Sequence, residues 1–510
     1  MKLNQRILAD IFQDNMILPL GKAFRLGGII GSKEKVNLWF DGKLYETFSN
    51  KEGFWQVRIS ANYDQNKISK ILVKSDSRSQ KVDNIRYGQV YLLSGQSNIE
   101  YRLKEEEHFQ EAKKWLRDGK FPELYYYNVP QVDYIDPETG KVKPQNLQPE
   151  TWHKVNTETA GEMSAVGFYM LKEMRDCGSK LPLAIVDCFK GGTSASVWIK
   201  RSDLESDPEL NETFLVKYQK QISGKTWTDF DKETQKYNLL VDKHNRDLNA
   251  YLKEHPDSSL SDAKNIVGHT PWPPPARPDL YTRPCGLYQT MMQQVKLYSF
   301  NGMVWYQGEN DTDRAKQYSK LLPLLIATWR RELNDESLPI KLIQLPAYAD
   351  YPNNSGAEIR AVQLKVSLNI PNVDLVSFID GGEKHNIHPT NKEMVGERLG
   401  KIWYGNDYAG TPYIDVTQVR NRELCLHVAR SEKLILKDNV SLELTDFAGN
   451  KYHCQITTNN LHKDWIKIPI NNKYVKAEYL NTNYSEHIGL YNERNYPVSP
   501  FEISLRGKIE

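Results

Sequence analysis

Four short segments of this 510-residue chain hold the side chains that acyl transfer needs. Ser94-Gly95-Gln96-Ser97-Asn98 offers a hydroxyl in a glycine-bearing turn, and Lys190-Gly191-Gly192-Thr193 offers backbone N–H groups with no side chains to shield them. Tyr306-Gln307-Gly308-Glu309-Asn310-Asp311 offers a side-chain amide. Asp380-Gly381-Gly382-Glu383-Lys384-His385-Asn386-Ile387-His388-Pro389 offers imidazoles among carboxylates. A nucleophile, donors for a developing oxyanion and a general base are the components of a serine acyl-transfer site. Each segment also has a plainer reading. A serine in a turn is commonly a helix N-cap, and a glycine pair can be a tight turn or an anion-binding nest. His385 and His388 could pair on a metal, but no carboxylate-rich partner motif supports one. The plain readings leave the joint placement of the four segments unexplained.

That placement comes from the elements before them. Five apolar runs of β type occupy the middle of the chain: Val90–Leu93, Leu183–Val186, Gly302–Trp305, Ile340–Gln344 and Leu375–Ile379. Stretches of helical period separate most of them, at Ala165–Met174, Lys316–Leu333, Glu358–Leu368 and Lys392–Trp403. Alternating strands and helices predict an α/β fold, a parallel five-stranded sheet flanked by helices. Ligands of such sheets bind beyond the carboxyl ends of the strands, which is where the four segments fall. Residues 88–404 are therefore read as the catalytic domain. A polar, helix-prone insertion at about 200–280 contains Lys232–Glu254 and ends in Pro271-Trp272-Pro273-Pro274-Pro275, a stiff connector. It is expected to be a helical subdomain or lid without a core of its own. Residues 1–87 and 405–510 alternate apolar and polar residues between Asp, Asn and Gly turns, and read as two β-sandwich-like domains.

Bulk composition narrows the alternatives. The chain is 39% hydrophobic and 26% charged with a formal net charge of +2, so nothing points to nucleic acid or an anionic membrane. Its 29 Tyr and 11 Trp suit sugar recognition and β-sandwich cores alike. The five cysteines are scattered, with no C-x-x-C pair, so neither a disulfide framework nor a zinc site is indicated. No apolar run reaches the ~18 residues of a membrane span. The N-terminus lacks an uninterrupted apolar core and a cleavage site, so the chain reads as cytoplasmic as written, or as secreted or periplasmic if a leader was removed. The hydrolase elbow G-x-S-x-G is absent around Ser97, as are dinucleotide and Walker A loops.

The motifs resemble the SGNH hydrolase superfamily and, within it, the sialate O-acetylesterase family. Gly95-Gln96-Ser97-Asn98-Ile99-Glu100 is similar to that family's G-Q-S-N-M-E block, and Gly191-Gly192-Thr193 with Trp198 to its G-G-T-x-x-E-x-W block, with Ser196 at the Glu position. Trp305 to Asp311 is similar to the third block. Asn386-Ile387-His388-Pro389 with Lys392, Gly396 and Arg398 resembles D-I-H-P-x-x-K-x-x-x-G-x-R. The resemblance covers nearly the whole chain, from Phe12–Leu18 to Pro497–Phe501.

What the resemblance implies is a cofactor-free esterase acting on O-acetylated sugars. Ser97 would be the nucleophile, His388 the base, and the N–H groups of Ser97 and Gly192 with the Asn310 amide the oxyanion hole; Gly191 is the alternative donor. The third triad member stays open, because Asn386 stands where the family has Asp. Asp380 or Glu383 could replace it, a backbone carbonyl could orient His388 in a dyad, or Asn386 could accept through its oxygen. The dyad is preferred, with Asp380 as the carboxylate candidate. Arg360 is the expected clamp for a sugar carboxylate. Gln307 and Glu309 are expected around the oxyanion shell, and Trp198, Trp305, Tyr306 or Tyr348 as stacking surfaces. An acetylxylan or other polysaccharide deacetylase would use the same site. A sugar-binding protein with a degenerate site is the non-enzymatic alternative, and oligomeric state is not readable.

Overall fold

Residues 79–95 organise the molecule. In the computed structural model, which describes residues 6–506 except 77, 145, 146, 148, 149, 406–409 and 472, they form one uninterrupted strand. This strand, β1 (Ser79–Gly95), begins as an antiparallel partner of Ser69–Lys74 with Lys81, Asp83 and Asn84 in water. It ends as the buried centre of a parallel sheet, with Val90, Leu92 and Leu93 inaccessible. The residue pattern makes the same change, from alternating to continuously apolar, as cover on both faces requires. Residue 87, read as the end of the N-terminal β-region, lies inside this strand.

The central sheet is then completed by β2 (Leu124–Asn128), β3 (Leu183–Phe189), β4 (Gly302–Tyr306), β5 (Ile340–Ile343) and β6 (Val373–Val376). Its order is β2-β3-β1-β4-β5-β6, and every neighbouring pair in that series is parallel. The five expected runs are all present, and the expected strand number is corrected by β2. Its sequence, Leu-Tyr-Tyr-Tyr-Asn, is β-prone through aromatic side chains and not through the aliphatic runs sought above. The chain fills the β3 side of β1 first and crosses after β3 to β4 on the other side. The crevice at the ends of β1, β3 and β4 is therefore a topological switch point.

Helices cover both faces. On one lie α1 (Ala165–Asp176) and α6 (Glu393–Tyr404), packed through Val166, Met170, Val395 and Leu399. A Cβ added at Gly396 would come within 2.4 Å of Tyr169 Cβ, so glycine sets how closely these two helices approach. On the other face lie α4 (Ala315–Glu332) and α5 (Ser355–Asn369), whose Leu321, Leu325, Trp329 and Ile359 join a core continuous with the N-terminal strands. Between β3 and β4 the insertion is helical. Its longest elements are α2 (Trp227–Glu254), started by a Thr226/Asp229 capping box, and α3 (Leu260–Val267).

The N-terminal strands form two facing layers, Phe24–Ile29 with Phe54–Ile59 and Lys35–Phe40 between Lys43–Phe48 and Ser69–Lys74. Beyond residue 409, two four-stranded sheets enclose a separate core of Leu424, Leu426, Leu442, Leu444, Ile466 and Ile468. Among the described residues no helix is long and apolar enough to cross a membrane.

Candidate active site

Ser97 opens a one-turn helix, Ser97–Glu100, directly after β1. The turn is sharp: Gly95 sits at φ +139°, and a Cβ there would fall 2.0 Å from the Tyr306 carbonyl oxygen. Gln96 N–H donates to that same carbonyl at 3.1 Å. The Ser97 hydroxyl is thereby held at the mouth of the crevice, 2.7 Å from His388 Nε2, across 291 residues of sequence.

The two turns are fastened by Asn98. Its Nδ2 donates to Glu309 Oε1 and to the Ile387 carbonyl, and its Oδ1 accepts from Lys392 Nζ at 2.7 Å. One buried amide thus ties together the nucleophile turn, the loop after β4 and the histidine loop. Burial pulls the Lys392 ammonium down to about 7, with Glu309 and Glu383 opposing, and burial raises the Glu309 carboxyl.

Three donors converge on this corner without a partner. Neither Ser97 N–H nor Gly192 N–H meets an acceptor among the described residues, and Asn310 Nδ2 is also uncommitted. Gly191 N–H, the alternative donor, is taken by Glu100 Oε2, whereas Gly192 N–H is open.

Among the described residues His388 has no carboxylate partner. Asp380, the tentative orienter, is corrected to a structural ion pair. Both its oxygens are held by Arg398 at 2.7 Å, and Tyr491 donates to it as well. Asn386 does not orient the ring either. Its Nδ2 donates to the His388 carbonyl at 2.7 Å and to Glu383 Oε2 at 3.1 Å, and its Oδ1 accepts from Lys264 Nζ of α3 at 2.7 Å. Glu383 spends its other oxygen on Thr390. No described group accepts a hydrogen bond from His388 Nδ1, so the Ser97–His388 pair has no third member among the described residues. Desolvation, then Lys392 and Lys264, pull the imidazole down from 6.5 to about 3, so it is neutral and ready to accept a proton at ordinary pH.

The remaining expected binding residues lie deeper than predicted. Arg360 is corrected from a substrate clamp to a buried brace, fully inaccessible, donating to the carbonyls of Pro346 and Thr482. Trp198 is corrected to core: it packs edge-on against Trp305 and donates to Thr193 Oγ1. Trp305 and Tyr306 are likewise buried, and Tyr348 nearly so. Gln307 lies beneath the glycine turn, donating to the Thr193 carbonyl and to Asp311. Asp311 in turn accepts from Ser194 and the Ala195 N–H, locking the loop after β4 to the loop after β3.

Two residues that sequence reasoning gave no role at the site arrive from the insertion. Lys264 reaches Asn386, and Trp272 donates its indole N–H to Asn310 Oδ1 at 2.8 Å. Beside Asn310 and Trp272 opens a cavity of about 450 Å³, whose wall includes Thr213, Lys217, Tyr218 and Arg277. That is room for a sugar-sized ligand. The arrangement can activate a serine hydroxyl and hold an oxyanion next to a cavity with a polar and aromatic wall.

Residues 276–404 match the family model described as carbohydrate esterase, sialic acid-specific acetylesterase. The sialate O-acetylesterases of Mus musculus and Rattus norvegicus are each 23% identical to this chain over 344 and 346 residues, which is 62% of the chain and 56% of each relative. The chain thus matches little more than half the length of those relatives. The crystal structure of a carbohydrate acetylesterase from Xanthomonas citri shares the fold, with a TM-score of 0.71 at 20% identity over 97% of this chain and 99% of that one.

Proposed function

We propose that this chain is a carbohydrate esterase of the sialic acid-specific acetylesterase type, a reading supported by the match over residues 276–404 and by the two similar relatives, and that it hydrolyses acetyl esters on sugar hydroxyls, with O-acetylated sialic acid the first substrate to test. The observation that carries the proposal is the 2.7 Å contact between Ser97 Oγ and a neutral His388.

His388 Nε2 takes the hydroxyl proton as Ser97 Oγ attacks the acetyl carbonyl. The carbonyl oxygen becomes an oxyanion between the N–H groups of Ser97 and Gly192 and the Asn310 amide. The imidazolium returns its proton to the departing sugar hydroxyl, leaving an acetyl ester on Ser97. Water, deprotonated by the same nitrogen, splits that ester and releases acetate. Asn98, Lys392 and Glu309 keep the two reacting loops in register.

A second reading is deacetylation of a neutral polysaccharide such as xylan, and the observation that favours it is the burial of Arg360. That burial removes the expected clamp for a sugar carboxylate. Acetate release from O-acetylated sialic acids, acetylated xylo-oligosaccharides and p-nitrophenyl acetate separates the readings. Ser97→Ala should lower turnover by about 10³-fold or more on whichever ester is cleaved. Folded wild-type protein that releases acetate from none of them would refute the esterase reading.

A further inference from the structure

The insertion between β3 and β4 touches the chemistry at Trp272. Its indole N–H donates to Asn310 Oδ1 at 2.8 Å. A side-chain amide carries its oxygen and nitrogen on opposite prongs, so holding Oδ1 on the indole turns Nδ2 the other way. The backbone of Asn310 is fixed as well, its N–H on Gln96 Oε1 at 3.2 Å and its carbonyl accepting from Arg314.

The same ring lies against Gly192. That residue sits at φ +65°, and a Cβ there would fall 2.3 Å from an atom of the six-membered ring of Trp272. One side chain therefore contacts two of the three residues that supply oxyanion donors. Trp272 is 45% exposed, so its place is not dictated by core packing. Prolines on both sides restrict its backbone, and Tyr237 of α2 donates to the Pro271 carbonyl at 2.9 Å.

We propose that Trp272 is a positioning residue of the oxyanion hole, delivered by the insertion to fix the orientation of the Asn310 amide. Without the indole N–H, the amide can turn over and present its oxygen to the oxyanion, which repels where the nitrogen attracts. The proposal rests on the esterase reading and adds a role for the insertion beyond packing Leu204, Leu210, Phe214 and Leu215 into the main core.

The test is Trp272→Phe, which keeps a ring over Gly192 and removes the donor, compared with Asn310→Ala and the double variant. Removing an oxyanion donor costs about 10²–10³ in kcat, which bounds the effect of misorienting one. Trp272→Phe should therefore lower kcat on p-nitrophenyl acetate by about 10- to 100-fold with KM within about threefold. It should also slow labelling of Ser97 by a fluorophosphonate, and the double variant should be no slower than Asn310→Ala alone. Wild-type kcat in Trp272→Phe, or a loss that multiplies onto that of Asn310→Ala, would overturn the inference while leaving the esterase reading intact. A wild type that neither turns over nor labels at Ser97 would overturn both.

Discussion

Consider Asn386→Asp, which puts a carboxylate two residues before His388. Asn386 Nδ2 donates to the His388 carbonyl at 2.7 Å and to Glu383 Oε2 at 3.1 Å, and the residue is fully buried. An ionised carboxylate would set oxygen against oxygen at both places. Losing two hydrogen bonds and stranding their acceptors costs about 1–3 kcal/mol each. The Lys264 ammonium, 2.7 Å from Oδ1, would recover about 1 kcal/mol of that by bonding a charged oxygen. The net expectation is a loss of roughly 1–5 kcal/mol. Once protonated, the introduced carboxyl could still donate to one acceptor, so the folded state raises its pKa. The sign follows: the added deficit is small in acid and opens as pH rises through that folded value. Urea unfolding followed by tryptophan fluorescence at pH 5 and pH 8 measures it, alongside kcat on p-nitrophenyl acetate. The rate should change by tenfold or less, because His388 gains charge stabilisation only if the loop rearranges. A variant as stable as wild type and more than tenfold faster would show that residue 386 orients the imidazole and that the dyad is wrong.

Three further outcomes follow from the same geometry. Asn310→Ala should lower kcat by about 10²–10³ with little change in KM, and steady-state kinetics in which only KM moves would make it a substrate contact instead. Arg360→Ala should destabilise the protein by about 2–4 kcal/mol, since the two charged hydrogen bonds of a fully buried guanidinium are lost, while the ratio of activities on sialate and neutral esters stays put; a selective loss on sialates would return Arg360 to the substrate. The pH profile of kcat/KM should not fall between pH 6 and 5, below the Lys392 transition near 7, because His388 titrates at about 3. An unperturbed imidazole would go on losing rate across that interval, so such a fall would refute the low value.

The sequence made the carboxyl ends of the strands legible because parallel strands buried on both faces read as plain apolar runs, and the residues after them are the site. Ser97, Gly192, Asn310 and His388 were singled out this way, and the structure places Ser97 against His388. Strand β2 escaped because three tyrosines do not look like an aliphatic run. Arg360 misled for a different reason: a charge in mid-helix reads as solvated, and only the chain around Thr482, more than a hundred residues later, covers it. Trp272 and Lys264 carried no local signal at all. Their roles arise from where an insertion folds back, and no spacing within it records the distance to Asn310 or Asn386. The Asn98 bridge, by contrast, was in view inside the nucleophile motif, but its partners lie 211 and 294 positions away.

Strand β1 has a consequence for how such a protein can be taken apart. At about 3.3 Å per residue its 17 residues make a rod of roughly 55 Å. One end is sewn to Ser69–Lys74 and the other presents the nucleophile. Between them, Arg86, Tyr87 and Gly88 pair with Ile17, Leu18 and Pro19. The N-terminal strands are therefore not a cassette that can be exchanged by cutting at a linker, since the seam at residue 87 is hydrogen-bonded backbone on both sides. A graft that preserved every catalytic residue but replaced residues before 88 would remove the strand that flanks Arg86–Gly88 along with the core beneath it. Recombination, in the laboratory or in evolution, would have to carry the N-terminal strands and the nucleophile together as one inherited block.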